Sequence, residues 1–567
     1  MSITVQDRFL RVRDCFGEGK ASAILQDTLD LPGDFPDVGR VVGARAVARK
    51  VEAVVEDGRV VVKGSLEAHL LYAVVEEARE PRRAERDYEE AEGAAEDQED
   101  DVPARPRLVA VRFPEVSPFE VMVDVPGATA RMGARALVSV ESVTANLVTR
   151  RRLGCDAALV VTVAVWDDQE VKAAVELAAL PPSKVRTTRE TVHVEHLVAE
   201  ATSRQRLELS LALPPEELPV HEVLWVMPLV NHVTGRAGDG RAFLEGIMDI
   251  GVVYLTGDPD HPVNAFRWPD AHRLVTALEL PAARTGMTVN AAVEVEDAAG
   301  DRESDRVVTI ALDCRLRATA RLPVEQPLVT DVASESGEQL DVGRKTILFP
   351  HPLAEVMREA TAAGTLSLPP TRPPIDDVVW AGGVFVPDVS AVADDRVECE
   401  GDLSLQMLYQ AATPDGALHM VEFPRALRLS QAIDLPGVRP GMVARCEVQV
   451  CAVDVRCLDQ ETVQVQVAVR IKCTCVRVVQ CEVVVEAVVI SPCPPGTTLR
   501  MVIVQPGDTM WKLARRYGVT LDALIKANPQ IANPDLIYPG QRLRIPCSPV
   551  VLPAADRGAA PVAGGRG

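Results

Sequence analysis

Twelve cysteines, nine histidines and 82 carboxylates are the residues of this chain with the most chemical potential. Nine of the cysteines lie from Cys399 onward, among them Cys446, Cys451, Cys457, Cys473, Cys475 and Cys481. Cys473-Thr-Cys475 would put two thiols on one face of a strand, since side chains two apart share a face. Thiols gathered in this way could bind a metal as thiolates or cross-link chains on oxidation. Zinc sites are commonly announced by paired Cys-x-x-Cys knuckles, and the sequence has no such pair. The simpler expectation is cysteine as a small apolar core residue, reduced and metal-free. His193 and His196 are three apart, as on one helix face, but no third ligand stands at metal spacing, so no metal is assigned. Gly-x-Ser-x-Gly, phosphate-loop and His-Glu-x-x-His signatures are missing, and no nucleophile–base pair stands at family spacing. The chain is expected to be no enzyme, with no catalytic residue and no cofactor.

The elements that must carry these residues are set by an internal repeat. Gly64-Ser-Leu-Glu-Ala-His-Leu-Leu-Tyr72, Gly246-Ile-Met-Asp-Ile-Gly-Val-Val-Tyr254 and Gly401-Asp-Leu-Ser-Leu-Gln-Met-Leu-Tyr409 share a pattern: glycine, alternating apolar residues, then Tyr. A period of two predicts a half-buried strand. Pro32, Pro214 and Pro369 each precede the glycine by 32 positions, and Phe113–Pro126, Trp268–Pro281 and Phe423–Pro436 are each 13 positions apart. Landmarks in register three times predict three copies of one β domain. A chain of 567 residues exceeds one core, and Val-rich alternation with 42 prolines predicts antiparallel, sandwich-like sheets.

The net charge of −22 argues against a nucleic-acid partner, which would call for a basic face. The N-terminus lacks a basic region followed by an apolar one, and no window holds about 18 uninterrupted apolar residues. Neither a signal peptide nor membrane insertion is therefore expected, and the expected compartment is the cytoplasm.

In order, repeat one is expected over 15–180, with an Asp57-Gly58 hairpin turn and a disordered or solvated acidic insertion at 76–101. That insertion holds thirteen acidic and four basic residues. A degenerate repeat two spans 185–323. A connector, 326–374, would carry a short helix at 352–361 opened by Pro352. The Cys-rich repeat three spans 375–490, followed by a linker at 491–500, a small module at 501–546 and a disordered tail at 547–567.

In the module, residues 502–504 read as a strand and Pro506-Gly507 as a turn. Asp508 or Thr509 caps a helix whose apolar contacts are Trp511, Leu513, Ala514 and Tyr517. Gly518 ends it, Thr520 caps a second helix with Leu521, Leu524 and Ile525 inward, and Asn528-Pro529 stops that helix. Pro539-Gly540 then turns into a last strand at 542–545, giving strand–helix–helix–strand. The Pro-Gly-Asp-Thr, Trp-Lys-Leu-Ala, Tyr-Gly-Val, Asn-Pro and Tyr-Pro-Gly-Gln stretches closely resemble a LysM domain. That resemblance implies binding of N-acetylglucosamine polymers such as peptidoglycan in a groove between two loops. Its residues here would be Gly507, Asp508, Thr509 and Met510 on one side, and Asn533, Pro534, Asp535, Leu536 and Ile537 on the other.

The triplicated cassette is similar to the SPOCS domain of spore-coat and spore-cortex assembly proteins. Tandem copies before a single LysM module resemble the coat morphogenetic proteins of endospore-forming bacteria. The resemblance implies a scaffold in the mother cell that tethers the coat to the forespore surface, its LysM module docking to the polymerising ATPase of the basement layer. The alternative is a peptidoglycan-binding wall or cortex protein.

Overall fold

A computed structural model describes residues 3–74, 107–179, 185–258, 260–335, 340–388, 390–490, 498–505, 508–531 and 533–547. The acidic insertion at 76–101, most of the 491–500 linker and the tail beyond Cys547 lie outside the described residues. The protein is mainly β, and three units repeat one plan. Unit one comprises β1 (Ile3–Asp30), β2 (Val38–Glu56), β3 (Arg59–Val74), β4 (Leu108–Asp124), β5 (Gly133–Thr149) and β6 (Arg152–Ala179). They form two antiparallel sheets, β1-β6-β5 and β2-β3-β4, enclosing one core.

Unit two repeats this with β7 (Val185–Ala212), β8 (Glu222–Gly238), β9 (Arg241–Leu255), β10 (Val263–Glu279), β11 (Thr288–Ser304) and β12 (Val307–Ser334). A single bridge, Thr288 to Arg236, links its two sheets. Unit three has β13 (Leu340–Ser367), β14 (Ile375–Pro387), a short β15 (Ala391–Ala393), β16 (Arg396–Ala411), β17 (Leu418–Asp434), β18 (Val443–Cys457) and β19 (Thr462–Val489). The C-terminal module contains β20 (Leu499–Ile503), α1 (Met510–Tyr517), α2 (Leu521–Ala527) and β21 (Arg542–Pro546).

Two expectations are corrected. Residues 352–361, expected as a helix in a connector, lie within β13, where Pro352 pairs with Val476 and Thr361 with Ala468. Long-range pairing overrides local helix preference here, and the prolines fit because β13 is an edge strand. The supposed connector is thus a structural strand of unit three. Likewise, unit one begins at Ile3 rather than near residue 15, because β1 pairs with β6 along its whole length.

The repeated strand is also buried on both faces rather than one. At even positions after the glycine, Leu66, Ala68, Leu70 and Tyr72 fill the core of unit one. Met248, Ile250, Val252 and Tyr254 do so in unit two, and Leu403, Leu405, Met407 and Tyr409 in unit three. At the seventh position Leu71, Val253 and Leu408 point the other way, into one cluster shared by all three units. A second shared cluster draws Leu10 and Val12 from β1, Val192 and Val194 from β7, and Ile347 and Phe349 from β13. The three units thus close around a pseudo-threefold axis as one body. In unit one the next strand's aromatic ring crosses the glycine, so a Cβ on Gly64 would lie 2.6 Å from Phe119 Cζ. In unit three the ring against Gly401 is Phe385 of the preceding strand, and in unit two Gly246 meets nothing closer than the His232 carbonyl, at 3.3 Å.

Polar contacts close the ring in a cyclic sense. From β11, Asp297 of unit two accepts from Arg112 of unit one at 2.7 Å. From β5, Val143 N of unit one donates to Glu422 of unit three at 2.6 Å. From β18, Gln449 of unit three donates to the Val230 carbonyl of unit two at 2.9 Å. Each unit offers its fifth core strand to the neighbour.

Candidate binding site in the C-terminal module

Local chemistry fixes the module's two helices. The Thr509 hydroxyl accepts from Lys512 N at 3.1 Å and Thr520 from Ala523 N at 3.2 Å, satisfying helix-end donors. Gly518 closes α1 at φ 65°, a left-handed conformation that suits glycine. Val504, Met510, Leu513, Ala514, Val519, Leu524, Leu543 and Ile545 form the core. Asn528, read from sequence only as a helix stop, is buried and acts as a clasp. Its amide donates to the carbonyls of Leu524 and Arg544, both at 2.7 Å, and its oxygen accepts from Arg544 N at 2.7 Å. Burial with every polar atom used ties α2 to β21.

The expected groove residues divide into three groups. Gly507 lies outside the described residues. Met510 is a core side chain rather than a groove lining, because the first turn of α1 points it at Leu513 and Leu524's cluster. The Asp508 carboxylate is only 5% exposed and is occupied by Arg516 at 3.1 Å and by Gln505 N at 2.9 Å. On the other loop, Asn533 accepts from Asp535 N at 3.0 Å in a side-chain-stabilised turn. Asn533, Asp535 and Leu536 are exposed there, Pro534 is half-buried, and Ile537 packs against the module core. Trp511, expected inside, is 48% exposed, and its ring lies 4.5 Å beneath the Arg515 guanidinium.

Arg515 also joins the module to unit three. It donates to Glu486 on β19 at 2.7 Å and to Asp341 on β13. Those carboxylates raise its pKa further above the usual value, outweighing the cost of burial. A charge-assisted pair of bonds of this kind is among the stronger surface contacts.

The module matches the LysM domain family over residues 502–546, and the family described as "SipL, SPOCS domain" matches residues 37–148 and 374–458. The chain carries SPOCS domains followed by a LysM domain. The SPOCS matches fall in units one and three, while unit two keeps the same six-strand plan outside the matched segments. The spore coat assembly protein ExsA of Bacillus cereus is 47% identical over 64 residues, covering 11% of this chain and 10% of that protein. SpoIVD-associated factor A of Bacillus subtilis (strain 168) is 42% identical over 67 residues, 12% of this chain and 17% of that one. The secreted LysM effector ECP6 of Passalora fulva is 44% identical over 57 residues, 10% and 25% of the two chains. The chain therefore spans a quarter or less of the length of these relatives. No solved structure matches.

In unit two, the histidines singled out by spacing lie on β7 and take separate partners. The His193 ring lies tilted against that of His351 with centroids 5.5 Å apart, and His196 Nδ1 accepts from Arg11 N at 3.0 Å. No metal-holding group of His, Cys, Asp or Glu occurs among the described residues. Cys155, Cys314, Cys399, Cys473, Cys475 and Cys481 are buried free thiols. Cys547, just after the LysM domain, is disulfide-bonded, which corrects the expectation of uniformly reduced cysteines. No helix among the described residues is long and apolar enough to cross a membrane.

Proposed function

We propose that the chain is a non-enzymatic tether of bacterial spore coat assembly, acting in the mother-cell cytoplasm at the forespore surface. Its LysM domain docks to the basement layer of the coat, whose polymerising ATPase is the partner. The observation that supports this reading is the pair of charge-assisted bonds by which Arg515 holds the small C-terminal module against the three-unit body. A module fixed in this way transmits its hold to the whole ring, as a tether requires. The names of the Bacillus relatives, a coat assembly protein and a SpoIVD-associated factor, support the setting. Leu536, at 53% exposure on the second groove loop, is the side chain best placed to be covered by a protein partner.

The LysM match itself also supports a second reading, binding of peptidoglycan or other N-acetylglucosamine polymers. Immobilised full-length protein should retain the basement-layer ATPase and leave purified peptidoglycan in solution. Leu536→Asp should fold normally and lose that retention. Tight peptidoglycan binding with no hold on the ATPase would replace the tether by the glycan reading.

A further inference from the structure

In unit three, Cys399 of β16, Cys446 of β18 and Cys473 of β19 converge from both sheets of the sandwich. Cys446 and Cys473 are directly paired across the strands, and their sulfurs lie 3.2 Å apart. Cys399, across the sandwich, acts on the same Cys446 thiol and lowers its pKa, as does Ser390.

The pseudo-threefold repeat shows what this point of the fold requires. In unit one the equivalent residues are Val62, Ala136 and Val163, with Ala136 paired to Val163. In unit two they are Leu244, Ala291 and Ala318, with Ala291 paired to Ala318. All six are apolar, and each packs in or against its own core. The sandwich closes without a sulfur at any of these positions. A lone cysteine there would be an apolar filler, but three sulfurs meeting at one point is a different matter. They appear in only one of the three units.

We propose that Cys446 and Cys473 form a peroxide-sensitive dithiol site, which closes to a cross-strand disulfide inside unit three. The Cys446 thiolate attacks a peroxide oxygen; the O–O bond breaks, a sulfenic acid forms, and hydroxide leaves. That hydroxide combines with the proton Cys446 released on ionising, giving water. The Cys473 thiol then attacks the sulfenic sulfur; an S–S bond forms, the S–O bond breaks, and a second water leaves. The two thiols lose two electrons and the peroxide gains them.

Geometry supports each part. Directly opposed strand residues have Cα atoms about 4.5–5.5 Å apart, inside the range a disulfide spans. Cys446 is the only one of the three that is not fully buried, so a small oxidant meets it first. Its contacts with Cys399 and Cys473 lower the Cys446 pKa and hold that sulfur toward the thiolate, the reactive form. The same contacts, together with burial, push Cys399 and Cys473 the other way, leaving Cys473 as the thiol that resolves the sulfenic acid.

The test uses the full-length protein, reduced and then exposed to one to a few equivalents of hydrogen peroxide (roughly the least that can form one disulfide). Free thiols are alkylated before digestion and mass spectrometry. The expected product is a peptide pair joining Cys446 to Cys473. Cys446→Ala, the residue both other units carry, should preserve the fold and slow peroxide-dependent loss of thiols by about tenfold or more. Cys399→Val should leave the 446–473 link in place. Recovery of Cys446 as a free thiol, a link from Cys446 to Cys399 instead, or stoichiometric zinc in the purified reduced chain would each overturn the proposal.

Discussion

The Tyr72 hydroxyl donates to the Pro36 carbonyl at 2.9 Å, across a separation of 36 residues. Tyr254 to Leu218 at 3.0 Å and Tyr409 to Pro373 at 2.9 Å repeat the bond at the same separation. The tyrosine that closes each strand motif therefore holds down the loop that follows the unit's long first strand. All three rings are fully buried, so the hydroxyl has no access to water as a substitute partner.

Tyr72→Phe, Tyr254→Phe and Tyr409→Phe should each strip a half-buried loop carbonyl of its donor and cost about 0.5–1.5 kcal/mol. Urea unfolding of the full chain would register this as a lower midpoint at unchanged slope. A wild-type midpoint in all three variants would show that the loop carbonyls find other partners and that the shared tyrosine is only a packing residue.

Much of the β architecture is readable from the sequence because its signals are local and repeated. Gly64, Gly246 and Gly401 mark the same place in each unit, and the alternation after them names the core-facing residues. What local pattern does not carry is the second face of that strand. Leu71, Val253 and Leu408 look like ordinary solvent-side exceptions until the three units meet, since only the pseudo-threefold axis buries them. The helix expected at 352–361 failed for a related reason: its partner strand lies more than a hundred residues downstream. In the LysM domain the caps were legible, but Trp511 was not. An aromatic at helical spacing suggests a core, and nothing nearby in sequence says that Arg515 will cover it from outside while reaching unit three.

Glu67 occupies the third position after Gly64, and Asp249 and Ser404 occupy the same position in the other units, all three buried. Glu67 accepts from Arg112 at 2.7 Å and Arg49 at 3.2 Å, beside His69 at 2.7 Å, and Arg49 and Arg112 both reach on to Asp297 of unit two. Burial alone would raise this carboxyl, but the bonds from His69, Arg112 and Arg49 prevail and hold it well below the usual carboxylate range.

A depressed folded-state pKa means that the stabilisation from Glu67 is present above the unfolded value of about 4.3 and is lost as pH falls through the folded value. Glu67→Gln should thus lower stability at neutral pH by about 3 kcal/mol, because it strips a buried cluster of its anion. The gap to wild type should shrink in acid. Denaturation followed from pH 7 down to the acid limit would check this; a gap that stays constant throughout would mean that the glutamate acts by shape rather than charge.

Arg515 is the joint between the LysM domain and unit three. Arg515→Ala should leave both parts folded but release the module, since its two carboxylate partners lie on unit three rather than within the LysM core. Small-angle scattering of the variant should show a larger maximum dimension and a more flexible profile than wild type. Identical scattering would place the attachment in other contacts, such as Gly518 against Ile490.

Within the LysM domain, Leu524 and Trp511 should respond very differently to truncation. Leu524 is 0% exposed at the centre of the module core, so Leu524→Ala should cost about 2–5 kcal/mol. A domain of this size has little stability to spare, and its helices should melt well before the three-unit body. Trp511 stands 48% exposed, so Trp511→Ala loses a half-exposed ring and its contact with Arg515, a change of about 1 kcal/mol. Leu536→Asp, on an exposed loop, should cost less still, whereas Ile537→Asp would place a carboxylate against the core and unfold the module. Amide hydrogen exchange across 510–545 would order the four variants directly. The expected ranking puts Leu524→Ala and Ile537→Asp together as unprotected, and Trp511→Ala and Leu536→Asp close to wild type. Loss of protection in Trp511→Ala would mean that the ring supports the helix from outside, and that its pairing with Arg515 stabilises the domain as well as the joint.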